Sequence, residues 1–194
     1  MKIALIRHGP TAWNAEGRIQ GRLDVPLSDE GRSKMAALRA PPEFETARAF
    51  SSPLSRARET ARLLGLTDII VDPRLLEHDW GDWQGLTRAE ILARDGLDAF
   101  DRAGTGEAFT PKGGEPTRDL VDRVRDFLLE VGSGSDHTVA VTHRGVLRSA
   151  YAIATGWKML SPMPEALDLS CALVLEIISE DIRVAALNVS LPPR

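Results

Sequence analysis

Two of the four histidines in this 194-residue chain stand in the same setting. His8 follows the apolar run Ile3-Ala4-Leu5-Ile6 within Arg7-His8-Gly9, and His143 follows Thr138-Val139-Ala140-Val141-Thr142 within His143-Arg144-Gly145. Each run is short, apolar and closed by turn chemistry, which is the pattern of a buried parallel strand ending in a loop. In open parallel sheets, ligands bind beyond the carboxyl ends of the strands, so two imidazoles placed there converge on one crevice. Arginine is the side chain best shaped for multidentate recognition of phosphate, and Arg7 and Arg56 are suited to clamp a phosphoryl group. A neutral histidine beside them can act as a nucleophile, splitting one hard displacement into two easier ones. A second, protonated histidine would add to the positive charge that phosphoryl transfer requires.

Such a displacement also needs a proton donor for the leaving oxygen. The segment Leu75-Leu76-Glu77-His78-Asp79-Trp80-Gly81-Asp82-Trp83-Gln84-Gly85 offers three carboxylates beside two indoles. A carboxyl group desolvated by neighbouring rings keeps its proton near neutral pH. Spacing does not choose among Glu77, Asp79 and Asp82, and both tryptophans serve equally well as core anchors beside solvated acids.

The elements that must hold these residues follow from periodicity. Strands are expected over 3–6, 47–51, 69–71, 138–142, 172–178 and 183–189, the last two joined by the turn Ser179-Glu180-Asp181. Helices are expected over 28–40, 54–64, 86–93, 117–131 and 146–155, with Ser28 or Asp29 as a cap and Gly65 and Gly156 as terminators. Alternating strands and helices imply an α/β fold. We expect a three-layer sandwich, with a mostly parallel central sheet, an antiparallel edge and helices on both faces. The chain reads as a single domain, 1–194, with a small cap-like insertion around 95–115 where Gly and Asp are frequent.

Composition narrows the function classes. There are 24 Lys and Arg against 28 Asp and Glu, a net charge of -4, which argues against a surface built for nucleic acid or anionic membrane. It leaves room for one small cationic pocket. A lone cysteine, Cys171, forms no internal disulfide and reads as a small core residue in an apolar run. No apolar stretch is long enough to cross a bilayer, so a soluble, cytoplasmic protein is expected.

Taken in order, the residues fall into blocks. They are Arg7-His8-Gly9, Thr11-Ala12-Trp13-Asn14, Ser51-Ser52-Pro53-Leu54-Ser55-Arg56-Ala57 with Thr60-Ala61, Glu77 to Gly85, and Thr142-His143-Arg144-Gly145. The set closely resembles the histidine phosphatase superfamily, the phosphoglycerate mutase-like family, over about residues 1–150. The resemblance implies that His8 becomes phosphohistidine and that Arg7, Arg56 and His143 hold the transferring group. It implies Glu77 as proton donor and then as the base that activates water, and Asn14 as a hydrogen-bonding partner of a phosphoryl oxygen. Arg18, Gln20 and Gly21 would lie along the substrate's approach. It also implies no metal and no organic cofactor, and a small phosphorylated metabolite as partner rather than nucleic acid or membrane. A homodimer is left open.

Departures from the family pattern sharpen this expectation. Pro10 stands where many relatives have Glu. Arg144 follows His143 where mutases commonly have Gly, and either lines the pocket as an extra substrate-binding cation or turns away to pair with an acid. Only 65 residues separate Glu77 from His143, and the adjacent Arg-Arg pair that relatives use for phosphoglycerate is missing from that interval. A smaller cap leaves the pocket open to water, which favours a phosphomonoester hydrolase over a mutase. The Trp80-Gly81-Asp82-Trp83-Gln84-Gly85 pattern is nearest to the branch containing alpha-ribazole phosphatase and broad-specificity phosphatases. Gly113-Gly114-Glu115-Pro116 resembles a Gly-Glu-Ser element with Pro116 replacing Ser, and is expected to start the helix that follows. The alternatives are a phosphoglycerate mutase and a catalytically silent phosphate-binding module. A metal hydrolase using His8, His78 and His143 lacks the paired spacing such sites usually show.

Overall fold

In the computed structural model, which describes residues 1–163 and 167–194, side chains of the central strands alternate between two separate cores. Ile3 and Leu5 of the first strand join one cluster, with Ala140, Leu173 and Leu175 from its neighbours. Ala4 and Ile6 join the other, with Val139, Val141 and Val174. Because successive strand residues point to opposite faces, a strand covered on both sides must be apolar throughout, and that is why these runs read as unbroken hydrophobic stretches. Each of the larger buried side chains contributes roughly 1.5–3 kcal/mol of apolar burial.

The strands are β1 (Lys2–Arg7), β2 (Arg48–Ser51), β3 (Ile70–Val71), β4 (Thr138–Thr142), β5 (Ala172–Ile178) and β6 (Asp181–Val189). They form one six-stranded sheet in the order β3-β2-β4-β1-β5-β6. The pairs β1–β4, β2–β4 and β2–β3 are parallel, whereas β1–β5 and β5–β6 are antiparallel. The helices are α1 (Ala12–Ala15), α2 (Asp29–Ala36), α3 (Ser55–Leu63), α4 (Arg88–Asp95), α5 (Ala99–Arg102), α6 (Thr117–Gly132) and α7 (Arg144–Thr155). Val124, Phe127 and Leu128 of α6 and Val146 and Leu147 of α7 cover one face of the sheet. Met35 of α2 and Ala57 and Ala61 of α3 cover the other. The expected α/β sandwich with an antiparallel edge is therefore what forms. Among the described residues no helix is long and apolar enough to cross a membrane.

Several boundaries differ from the sequence reading for identifiable reasons. The helix expected over 28–40 ends at Ala36, because Leu38 forms a bridge with Pro193 and the Arg39 N–H donates to the Pro192 carbonyl. The helix expected over 86–93 starts at Arg88, since Thr87 and Glu90 form a reciprocal capping box. α7 starts at Arg144 rather than Val146, with His143 as its N-cap. The turn between β5 and β6 is Ser179 and Glu180 alone, for Asp181 already pairs with Ile178. Cys171 precedes β5 and is only partly buried, its thiol facing the Asp168 carboxylate at 3.6 Å. It is a rim residue, not a core one.

The stretch expected to be irregular, 95–115, carries α5 and a 3-10 turn at Gly106–Ala108. Its own small core is built from Trp83, Ile91 and Ala99, with Trp80, Phe100 and Phe109 packed against them. This small cluster reaches back to Trp80, outside the Gly-rich stretch, and includes both tryptophans.

Candidate active site

The parallel register of β1 and β4 places Arg7 opposite Thr142, and the next backbone contact, His8 N–H to the Thr142 carbonyl at 2.9 Å, carries the pairing one residue further. Both histidines therefore leave the sheet at the same level. Their ring centroids lie 5.1 Å apart, tilted by 56°. His8 Nδ1 lies 2.7 Å from the Gly9 carbonyl. A carbonyl only accepts, so Nδ1 carries the proton and Nε2 keeps its lone pair. Burial first, then the charges of Arg56 and Arg7, push the His8 imidazolium down to about 3.

His143 is fully buried, and its Nε2 lies 2.8 Å from Ser52 Oγ at the end of β2. Burial and the neighbouring His8, Arg56 and Arg7 hold its pKa well below the usual histidine range. The second histidine is thus neutral in the free protein, and the protonated form expected from sequence is corrected: desolvation and the surrounding positive charges all disfavour the imidazolium.

Arg56 sits in the first turn of α3 and is completely buried. Its Nη1 donates to the Leu23 carbonyl at 2.7 Å and its Nη2 to the Gly21 carbonyl at 2.8 Å. No described carboxylate pairs with it directly. Its Nε and the Nε of Arg7 are buried with no hydrogen-bond partner among the described residues, as is Nδ1 of His143. Burial lowers both guanidinium pKa values, with Glu77 opposing the shift. Orphaned donors of this kind cost free energy unless a ligand satisfies them.

Of the three carboxylates in the Trp-containing segment, only Glu77 lines the cavity. Its Oε1 accepts from the His78 N–H at 2.8 Å and from the Gly145 N–H at 2.9 Å, leaving Oε2 as the oxygen with free capacity. Asp79 instead accepts from the Gly81 N–H, and Asp82 lies beside Lys112. His78 turns its Nε2 to the Glu115 carbonyl at 2.7 Å.

These groups open onto a cavity of about 730 Å³. Asn14 lines it, with Oδ1 held by the Thr11 N–H at 3.0 Å, so the amide NH2 is the end left available. Gln20 and Gly21 also line it, and a Cβ at Gly21 would collide with Gln84 Oε1. Arg18 reaches the wall, but its guanidinium is committed to Glu16, Glu90 and the Gly85 carbonyl. Arg144 lines the cavity and forms no ion pair among the described residues. Thr105, Gly106 and Phe109 also line the cavity.

A family model described as histidine phosphatase superfamily (branch 1) matches residues 3–190. The chain belongs to that superfamily. As a histidine phosphatase it is an enzyme of a family that contains both phosphatases and mutases by name. It is 38% identical over 160 residues to phosphoglycerate mutase-like protein 4 of Arabidopsis thaliana, covering 77% of this chain and 69% of the relative. It is 34% identical over 160 residues to a metal-independent phosphoserine phosphatase of the same plant, covering 77% and 67%. A mycobacterial glucosyl-3-phosphoglycerate phosphatase solved in complex with VO3 superposes with a TM-score of 0.81 at 30% identity, over 97% of this chain and 99% of that one.

The histidine phosphatase site also holds residues to which the sequence reading gave no role. Ser52 touches His143, and Thr60 Oγ1 accepts the Gly9 N–H at 2.9 Å while donating to the Arg56 carbonyl at 2.7 Å. A Cβ at Gly145 would collide with Glu77 Oε1, so the carboxylate keeps this position only beside a glycine. Arg123 donates to the Leu76 carbonyl at 2.7 Å and the Glu77 carbonyl at 3.1 Å, and is held by Glu115. Ser52, Thr60 and Gly145 fall inside the quoted motif blocks. Arg123 is one polar position among several on α6, and no sequence signal marks it.

Proposed function

We propose that the chain is a metal-independent phosphomonoester hydrolase that works through a phosphohistidine on His8. The observation that carries this reading is the tautomer of His8: with Nδ1–H tied to the Gly9 carbonyl, Nε2 is an unprotonated nucleophile at neutral pH. Arg7, Arg56, Asn14 and neutral His143 surround it with donors. If the Ser52 hydroxyl donates to His143 Nε2, His143 Nδ1–H is a further donor to a phosphoryl oxygen.

In the first step the Nε2 lone pair attacks phosphorus, the P–O bond to the leaving alcohol breaks, and the proton on Glu77 Oε2 moves to the departing oxygen. In the second, Glu77 takes a proton from water as the water oxygen attacks phosphorus, the P–N bond breaks, and inorganic phosphate leaves. Positioning and charge stabilisation supply most of the catalysis in such a transfer. The insertion around 95–115 would act as a small cap that selects the rest of the substrate, a small phosphorylated metabolite.

Labelling tests the mechanism. A phosphorylated substrate should leave an acid-labile, alkali-stable phosphoryl group on the protein, and a His8→Ala variant should lose it. A label that persists in that variant would falsify the assignment. A second reading, a phosphoglycerate mutase, is favoured by likeness to relatives bearing that name. Phosphate release from phosphoglycerate without any isomerised product dismisses it, and isomer formation faster than release supports it. Binding of phosphoesters with no turnover across a broad panel would instead indicate a silent module.

A further inference from the structure

Beyond the phosphoryl-binding groups, the cavity continues along α7. Arg144 and Arg148 both line it, one helical turn apart, and so does Ser149. Four residues of helix place Arg148 roughly 6 Å farther from the His143 end of α7 than Arg144. Trp80 and Phe109 stand in the same wall, with Met159 and Leu160 beside them.

Three features mark this stretch as built for a ligand. First, among the described residues neither Arg144 nor Arg148 forms an ion pair, so both guanidinium charges are uncompensated at the cavity. Arg148 instead lies with its guanidinium over the Trp157 ring, 5.0 Å from the centroid, which fixes its position. Second, Ser149 Oγ is fully buried in the cavity wall with no hydrogen-bond partner among the described residues. Third, the charges do not balance for a plain phosphomonoester. Arg7, Arg56, Arg144 and Arg148 line the cavity with one carboxylate, Glu77, and Asp24 acts on Arg56 from outside the lining. With Glu77 carrying the proton it delivers in the first step, a phosphoryl dianion and Asp24 offset three of these four positive charges and leave one. The strain is visible in the free protein: burial, and then the field of Arg144, hold the Arg148 guanidinium below its ordinary range, and Arg144 acts on Arg7 in the same direction.

We propose that Arg144, Arg148 and Ser149 form a second anion subsite, so that the preferred substrates are phosphomonoesters carrying another anionic group, a carboxylate or a second phosphate, on the part that leaves. The inference rests on the phosphatase reading of the site and adds a substrate class to it. Guanidinium groups favour both anions for the same reason, planar charge-assisted hydrogen bonding. The apolar wall opposite would accept the carbon skeleton between the two anions.

The experiment compares matched substrates. Phosphate release is measured from glycerol 3-phosphate and 3-phosphoglycerate, which differ by a carboxylate, and from fructose 6-phosphate and fructose 1,6-bisphosphate, which differ by a phosphate. p-Nitrophenyl phosphate serves as the reference for the phosphoryl site. The expected result is a preference of about tenfold or more in kcat/KM for the anionic-tail member of at least one pair, the value of one charge-assisted contact. The pair that shows it identifies the second anion. Arg148→Met keeps the packing over Trp157 and should reduce that preference to near unity through KM, while Arg148→Lys retains part of it. Equal kcat/KM within both pairs, or a preference unchanged in Arg148→Met, overturns the subsite while leaving the phosphatase reading intact. No turnover of any of the five compounds, the reference included, counts against that reading itself and removes the subsite with it.

Discussion

The imidazoles of His8 and His143 sit 5.1 Å apart, centroid to centroid, and both are neutral in the folded protein. The cause is topological: parallel strands β1 and β4 end at the same level, and each is followed by a buried histidine. An unfolded histidine titrates near 6.5, so below that pH the unfolded chain takes up protons that the folded chain refuses. Stability contributed by these groups is therefore full above about pH 6.5 and falls steadily as the solution becomes more acidic. Between pH 7.5 and 5.5 each histidine should cost about 1.4 kcal/mol, and the pair about 3 kcal/mol. Urea unfolding at both pH values measures this. His8→Asn should show about half the wild-type loss, and identical losses in the two proteins would mean that His8 is not held neutral.

The Glu77 carboxylate is aimed by a backbone N–H that only a glycine can present. Gly145→Ala puts a methyl group into the position of Glu77 Oε1, while the helical backbone of α7 accepts alanine readily. The fold should survive and the carboxylate should move. General acid catalysis contributes about 100-fold or more, and it matters most when the leaving oxygen is a poor one. We expect kcat for an alkyl phosphomonoester to fall about 100-fold in this variant and kcat for p-nitrophenyl phosphate to fall less than tenfold. Equal losses on the two substrates would separate Glu77 from leaving-group protonation.

Ser52 acts through His143. Replacing it by alanine removes the 2.8 Å contact and leaves a buried ring nitrogen unsatisfied, at a cost of about 1–3 kcal/mol. The imidazole then loses the partner that fixes its orientation. Ser52→Ala should lower kcat about tenfold with little change in KM, and steady-state kinetics beside a thermal melt will report both effects. An unchanged kcat would reduce Ser52 to a packing role.

Parts of this architecture are readable in the sequence because one local signal decides them. β1, β4 and α6 combine an apolar pattern with clear terminators, and the structure reproduces them to within a residue or two. The positions of His8 and His143 follow from strand ends alone. The small cluster around Trp83 is less legible, since Trp80, Trp83 and Phe109 find one another across some thirty positions of mostly polar chain and no local period announces it. The charge state of His143 is not legible in the sequence because it depends on burial, and burial is a property of the whole fold. Arg148 and Arg123 look like ordinary polar positions on amphipathic helices until their partners, or the lack of them, are seen in three dimensions.

Arg123 joins α6 to the backbone that carries Glu77. Its Nη1 donates to the Arg74 and Leu76 carbonyls at 2.6 and 2.7 Å, and its Nε donates to Glu115 Oε1 at 2.7 Å. Arg22 reaches the same carboxylate at 3.0 Å. Burial alone would raise the Glu115 carboxyl, but hydrogen bonds from Arg123 and the charges of Arg123 and Arg22 outweigh it and hold it below the usual range. Arg123→Met removes the donors and leaves a largely buried carboxylate short of its main partner. A loss of about 3 kcal/mol is expected, the scale for breaking a buried pair from one side. Glu115→Gln keeps an acceptor and should cost about 1–2 kcal/mol. Because the two residues share one network, the double variant should be more stable than the sum of the single losses predicts, by at least about 0.5 kcal/mol. Chemical denaturation of the four proteins closes that cycle, and strict additivity would mean that Arg123 steadies the Glu77 segment through its carbonyl contacts alone.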